Sequence, residues 1–334
     1  PISNGQSVVE LVLGHLVALS RRLYETYDDT RAGRWEKGQG ERYEIKGKVL
    51  GVVGLGNIGR RVARTAELLG MRVVFHDSRE VAQEVGEEMG WRALPDIASV
   101  FRASDAVTLH MSASDVHGDS NTNCISRSML MSLGQERPDN SPRLFINLAR
   151  GNLYEPQDLL DAVLERRVRR AAVDVYPDEP RNNGPGWDNP YAEEPRIATT
   201  PHIGAATQEA QPRIARRVSH TCLAFSEHNT IRDCVFSPRT RVSFSDDQRA
   251  GQAVLLVVHS TTRGTKKALH DAIYEAGADN LRSAHRDFSR WGIALDVNLI
   301  DKPLDPRQLQ ALVEHTKQLT GDPCAVRLVR QVVG

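Results

Sequence analysis

Apolar residues recur at helical spacing from the start of the chain. Val8, Leu11, Val12, Leu16, Leu19 and Leu23 share one face of the stretch 7–27. That predicts an amphipathic helix with Ser7 as N-cap and Glu10 closing a capping box. The period then changes. "KVLGVV" is a continuous apolar run of buried-strand length, and after a glycine-rich turn Ile58, Val62, Ala66 and Leu69 return to helical spacing as far as Gly70. Further apolar runs at 72–77, 105–111, 143–149, 169–176 and 196–200 predict strands. Helical stretches lie between them, including 156–166, and a long helix is expected over 207–227. Such alternation predicts an α/β fold with a doubly wound parallel sheet.

The pattern lapses over 228–250, a polar stretch with a proline, and resumes as a different plan. "QAVLLVVHS", "NLRSAHRDFS", "GIALDVNLI" and "CAVRLVR" read as strands, with helices at "TKKALHDAIYEAG" and "DPRQLQALVEHTKQL". The order βαββαβ is ferredoxin-like. The expected domains are therefore 1–230, a linker over 231–249, and 250–334. "DEPRNNGPGWDNPYAEEP" (178–195) is a long irregular loop of the kind that often carries function.

Composition narrows the classes. Lys+Arg and Asp+Glu both number 43, so no basic field is available for nucleic acid. No apolar run approaches the ~18 residues of a membrane span. Cys124, Cys222, Cys234 and Cys324 form no CxxC pair, and no histidine lies at metal-ligand spacing from one. The expectation is a reduced, cytoplasmic protein without a metal.

Gly54-Leu55-Gly56-Asn57-Ile58-Gly59 fits G-x-G-x-x-G. The pattern alone is weak. Here it follows an apolar strand, opens an amphipathic helix, and is followed by Asp77 at the end of the next strand, 18 residues after Gly59. This is the context of a dinucleotide-binding fingerprint. Gly54 permits the tight turn, Gly56 lets a pyrophosphate approach the backbone, and Gly59 lets helix and strand pack closely. The N–H groups near Asn57 and Ile58 face the ligand at a positive helix end. Asp77 is expected to accept the ribose hydroxyls and to disfavour a 2′-phosphate, which selects NAD over NADP. Arg79 lies near enough to weaken that preference.

Titratable groups follow three later strands: Arg150 after "FINLA", Asp174 and Glu179 in "AAVDVYPDEP", and His202 in "ATTPHIG". Each alone reads as a surface charge, a cap or a turn residue. Together, beyond the sheet and beside a nucleotide turn, they suit hydride chemistry. A histidine exchanges the hydroxyl proton, a carboxylate orients it, and an arginine grips a substrate carboxylate.

These motifs, with "SNGQSVVELV", "RAGRWEK", "SDAVTLHM" and "TTPHIGAATQEAQ", resemble the D-isomer-specific 2-hydroxyacid dehydrogenases, and within them the phosphoglycerate-oxidising branch, over roughly residues 4–235. The resemblance implies a Rossmann-type domain and NAD-dependent oxidation of 3-phosphoglycerate to 3-phosphohydroxypyruvate. Another D-2-hydroxy acid, or NAD sensing with little catalysis, are the alternatives. It implies Arg150 on the substrate carboxylate and carbonyl, His202 as acid–base and Glu179 as its partner. Asn57 and Ile58 would meet the pyrophosphate and Asp77 the ribose. Leu148, Ala149, Arg150, Asp174, His202, Ile203, Gly204 and Ala205 would line the nicotinamide side. The first helix would be the crossover from a substrate lobe whose first half is not in this sequence. The C-terminal unit is similar to ACT regulatory domains, which implies an amino-acid effector such as serine and a homo-oligomer. Its first turn, "HSTTRGTKK", keeps His259 and Gly264, but has Thr261 and Arg263 where the family has Asn and Pro.

Overall fold

The computed structural model describes residues 4–115, 119–232, 241–288 and 291–334. Cys234 and the middle of the expected linker lie outside them. The chain divides into two compact units, Pro1–Ile214 and Ala215–Gly334.

The first unit opens with α1 (Gly5–Arg21) and α2 (Leu23–Arg31). The single helix expected over 7–27 is thus two. Arg22 adopts a left-handed conformation, φ 56°, which ends α1 and starts α2. Asn4 rather than Ser7 precedes the first helical residue, and Ser7 is buried with its hydroxyl 3.0 Å from that of Thr207. The alternation then runs β1 (Val49–Val53), α3 (Gly59–Leu68), β2 (Arg72–His76), α4 (Glu80–Glu88), β3 (Arg92–Ala93), α5 (Ile97–Ala103), β4 (Ala106–Leu109), α6 (Arg127–Met131), β5 (Leu144–Asn147), α7 (Pro156–Leu164), β6 (Arg170–Val173) and β7 (Ile197–Thr199). The seven strands are parallel, in the order β3-β2-β1-β4-β5-β6-β7. The winding reverses between β1 and β4, where open α/β sheets bind ligands.

Burial on both faces explains the unbroken apolar strands. Leu50 and Val52 of β1, with Leu144 and Ile146 of β5, pack under α1 and α3. Val53 and Phe145 face the opposite side, with Phe101, Leu130 and Leu159 of α5, α6 and α7. Buried Arg170 at the start of β6 donates to Glu25 at 2.7 Å and Glu41 at 2.9 Å, tying α2 and its following loop to the sheet.

The helix α8 (Ala210–His228) carries the division between the units, which falls earlier than the composition change suggested. The reason is visible at its C-terminal end. Arg330 donates to the carbonyls of Phe225 and Ser226, and the Asn229 amide donates to Val254 at 2.7 Å. The cation satisfies carbonyls that the helix end leaves open. The second unit continues with the short pair β8 (Ile231–Arg232) and β9 (Arg241–Val242). It then forms β10 (Ala253–Ser260), α9 (Thr265–Glu275), β11 (Asn280–Phe288), β12 (Ile293–Ile300), α10 (Pro306–Thr320) and β13 (Val326–Val333). The antiparallel order β11-β12-β10-β13 is the ferredoxin-like topology. Among the described residues no helix is long and apolar enough to cross a membrane.

Candidate active site

The glycine turn after β1 is shaped by backbone contact. Gly54 has φ +91°, and a Cβ there would lie 2.8 Å from the His110 carbonyl oxygen at the end of β4. A Cβ on Gly59 would lie 2.1 Å from the Gly54 carbonyl oxygen. Only glycine fits either place. Over Gly56 the space is open, with the Arg79 guanidinium 3.9 Å from a Cβ built there. A rigid turn with an open crest at the start of α3 suits a pyrophosphate. The Asn57 amide lies beside α1, 2.9 Å from where a Gly5 Cβ would stand, and Ile58 precedes the first helical residue. Burial pushes the His110 ring down to about 3, so it is neutral here.

Asp77, just past β2, is buried, and its oxygens are already engaged. One accepts from the Leu55 N–H at 2.8 Å and from Arg79 Nη2 at 2.6 Å; the other accepts from Arg79 N at 3.0 Å and Nε at 2.8 Å. The carboxylate that sequence reading offered to a ribose is therefore shared with a guanidinium fork. Arg79→Ala should release the two side-chain contacts to Asp77, leaving the backbone ones, and remove the cation that would welcome a 2′-phosphate. The NAD-to-NADP affinity ratio is expected to rise about tenfold in calorimetric titrations. An unchanged ratio would place Arg79 away from the ribose.

The remaining residues lie beyond the ends of three neighbouring strands. At the end of β5, buried Asn147 folds the chain back on itself, accepting from Ala149 N at 3.0 Å and donating to the Arg150 carbonyl at 2.9 Å. Leu148 and Ala149 are buried, while Arg150 is exposed, with Nη1 donating to the Ala149 carbonyl at 2.6 Å. After β6, Asp174 is wholly buried. It accepts from Thr200 Oγ1 at 2.5 Å, Ile203 N at 2.9 Å and Gly204 N at 2.9 Å. Its carboxylate fastens the loop after β7, so this aspartate anchors the histidine's own backbone. Gly204 allows that approach, since a Cβ would stand 3.1 Å from the carboxylate. Ala205 follows in the same loop, its carbonyl accepting from Gln211 at 3.2 Å.

His202 has φ 54°, a left-handed conformation that few residues other than glycine adopt. Its Nδ1 is 2.6 Å from Glu179 Oε2, and the other Glu179 oxygen accepts from Tyr176 N at 2.9 Å. About half of the imidazole is exposed, so this dyad meets solvent while the Asp174 anchor beneath it does not. Of the residues singled out in the sequence, Glu179 and His202 are in direct contact, as are Asp174, Ile203 and Gly204. Arg150 contributes its own strand-end loop.

Tyr176 and Asn147 were not singled out by sequence reading. The Tyr176 hydroxyl donates to the carbonyls of Val173 at 3.1 Å and Thr200 at 3.0 Å, while its N–H holds Glu179. A Cβ on Gly151 would stand 2.0 Å from the Tyr176 carbonyl carbon, so the Arg150 loop rests on Tyr176 backbone. The tyrosine is the hub of all three strand ends. Its only sequence signal was its place between Asp174 and Glu179. The 178–195 loop is pinned as well. Trp187 packs edge-on against Tyr176 with ring centres 4.4 Å apart, and Asn189 donates to Thr199 at 3.2 Å.

A parallel sheet that reverses at a glycine turn, with an acidic residue closing the next strand, defines a dinucleotide-binding domain of the Rossmann type. Residues 13–204 match the family described as "D-isomer specific 2-hydroxyacid dehydrogenase, NAD binding domain". The chain is 30% identical over 313 residues to D-3-phosphoglycerate dehydrogenase of Escherichia coli, covering 93% of this chain and 72% of that protein. It is 29% identical over 282 residues to D-3-phosphoglycerate dehydrogenase 2 of Saccharomyces cerevisiae, covering 82% of this chain but 57% of that one. Among solved structures, a phosphoglycerate oxidoreductase from Vibrio cholerae superposes with a TM-score of 0.52 at 26% identity, covering 64% of this chain and 67% of the other. The chain belongs to the D-isomer-specific 2-hydroxyacid dehydrogenase family, and NAD is the cofactor of the domain it matches.

Proposed function

We propose that this chain serves the NAD-dependent oxidation of 3-phosphoglycerate to 3-phosphohydroxypyruvate, as part of a D-2-hydroxyacid dehydrogenase. The observation that carries the reading is the 2.6 Å bond between His202 Nδ1 and Glu179 on a loop anchored by Asp174. With Nδ1 committed to the carboxylate, Nε2 is the nitrogen that takes the substrate hydroxyl proton. Glu179 fixes the ring's orientation and stabilises its cation as that proton arrives. Arg150 binds the substrate carboxylate through its fork and so positions C2 beside the histidine. When bound, NAD supplies the hydride acceptor. The open crest at Gly56, with Asn57 and Ile58, takes the pyrophosphate, and Asp77 takes the ribose in competition with Arg79. The loops of Leu148–Arg150 and His202–Ala205, with Asp174, border the nicotinamide.

The choice of acid rests on the two relatives described as D-3-phosphoglycerate dehydrogenases. The ferredoxin-like order of the second unit supports the wider reading of an ACT-like module in a cytoplasmic homo-oligomer with an amino-acid effector. NADH formation with 3-phosphoglycerate, D-lactate and D-glycerate is the test. The expected result is the highest kcat/KM for the phosphorylated acid. Equal or better turnover of another acid would overturn the substrate. NAD binding without turnover of any acid would favour the sensing alternative.

A further inference from the structure

The second unit carries a separate cluster of chemistry-bearing side chains. His285 of β11 and Asp296 of β12 are register partners. His259 of β10 pairs with Ala294, two residues from Asp296, and therefore shares its face of the sheet. In sequence the three stand far apart, without metal-ligand spacing. In the sheet His259 Nε2 lies 2.9 Å from one Asp296 oxygen and His285 Nδ1 lies 3.0 Å from the other. The three sets of ligand atoms all fall within 4.8 Å of one another.

Burial makes the arrangement costly unless it has a use. Asp296 is fully buried and His259 nearly so, whereas the His285 side chain is 29% exposed. Each oxygen of the buried carboxylate is met by an imidazole nitrogen, so three metal-ligating groups converge at one point. The orientation of His259 is the second indication. Its Nδ1 donates to the Ser260 carbonyl at 2.8 Å, which turns Nε2 inward. Metal-binding histidines are commonly held this way, by a backbone carbonyl on the far nitrogen. An ion at ~2.1 Å from each donor in tetrahedral geometry holds the donors roughly 3.4 Å apart. The two nitrogen–oxygen pairs need to open by only a few tenths of an ångström, and the two imidazole donors lie within 4.8 Å of each other. A cavity of about 130 Å³, lined by Ser260, Thr262, Lys266 and Asp287 beside the two histidines, opens onto the cluster. It has room for water in a remaining coordination position.

The geometry points to a binding site for one divalent transition-metal ion, with Zn²⁺ as the best-matched ion. Its ligands are His259 Nε2, His285 Nδ1 and the Asp296 carboxylate. Two imidazoles with one carboxylate suit such an ion, whereas Mg²⁺ and Ca²⁺ prefer all-oxygen sites. An open position makes the ion exchangeable and accessible to a small ligand. This site is independent of the NAD-dependent reaction.

The whole chain, stripped with a chelator and dialysed, is titrated with Zn²⁺ by calorimetry and with Co²⁺ by visible absorption. Expected are one equivalent of Zn²⁺ lost in both His285→Ala and Asp296→Asn, and Co²⁺ bands of a four- or five-coordinate site absent from both. Because His285 is partly exposed on an edge strand, its variant is expected to keep the wild-type circular dichroism spectrum. Asp296→Asn keeps the shape of the buried side chain and provides the second comparison. The loss of affinity is expected to exceed the roughly 10–100-fold that removal of a residue merely supporting a ligand costs. Failure of the wild-type chain to bind stoichiometric Zn²⁺, or equal binding by it and the two variants, would overturn the site. The three residues would then form only a hydrogen-bonded ion cluster.

Discussion

His202→Asn is expected to lower kcat by about 10³-fold or more while NAD affinity stays within about twofold of wild type. Asparagine tolerates the left-handed backbone that His202 adopts at φ 54°. The Ile203 and Gly204 amides therefore remain fastened to Asp174, and the cofactor side of the loop is preserved. What is lost is the ring nitrogen that exchanges the proton. NADH formation measures the first effect and calorimetry with NAD the second. A variant that turns over at nearly the wild-type rate would remove His202 from the chemistry. Loss of NAD binding would instead assign it to the loop's architecture.

Gly151→Ala is the change expected to damage the site most without touching a titratable group. Its new methyl would stand 2.0 Å from the Tyr176 carbonyl carbon and 2.1 Å from its oxygen, and neither is the flexible end of a side chain. Backbone must move, and with it either the Arg150 loop or the N–H that holds Glu179. Overpacking of this kind costs about 3 kcal/mol, or roughly 6–12 °C in Tm for a unit of this size. A sharp fall in kcat/KM is expected to accompany it, since the arginine and the histidine dyad are carried by the two loops pushed apart. Calorimetric melting and steady-state kinetics check the pair of effects. An unaltered Tm would show that the contact with Tyr176 relaxes easily.

Much of the fold could be read from residue order. Apolar runs of strand length alternate with helical periods from Val49 to Thr199, and the observed strands lie within the expected segments, except for the two-residue β3 (Arg92–Ala93), which is too short to show a period. The C-terminal pattern likewise fell into βαββαβ. Local errors have local causes. The break at Arg22 comes from one left-handed residue that periodicity does not register. The early division within α8 comes from Arg330, a residue about a hundred positions away that binds the helix's last carbonyls.

The placement of Arg150, Glu179 and His202 was legible, because a parallel sheet brings the chain after β5, β6 and β7 to the same edge. What holds the loops around them was not. Asp174 reads as one more acid in "VDVYPDEP", yet its three bonds to the 200–204 loop arise only when β6 and β7 lie side by side. Asp77 likewise reads as a free ribose acceptor until Arg79 folds onto it.

The sequence by itself therefore determined the two folds, the glycine turn after the first strand and the strand ends where Arg150, Glu179 and His202 stand. These follow from local periodicity and from glycine's freedom, which act over a few neighbouring residues. Tertiary structure alone decided which acid anchors the histidine's loop, that a tyrosine unites three strand ends, and that His259, His285 and Asp296 meet. Those contacts depend on strand register and on backbone approach between distant segments, and no spacing along one chain encodes either.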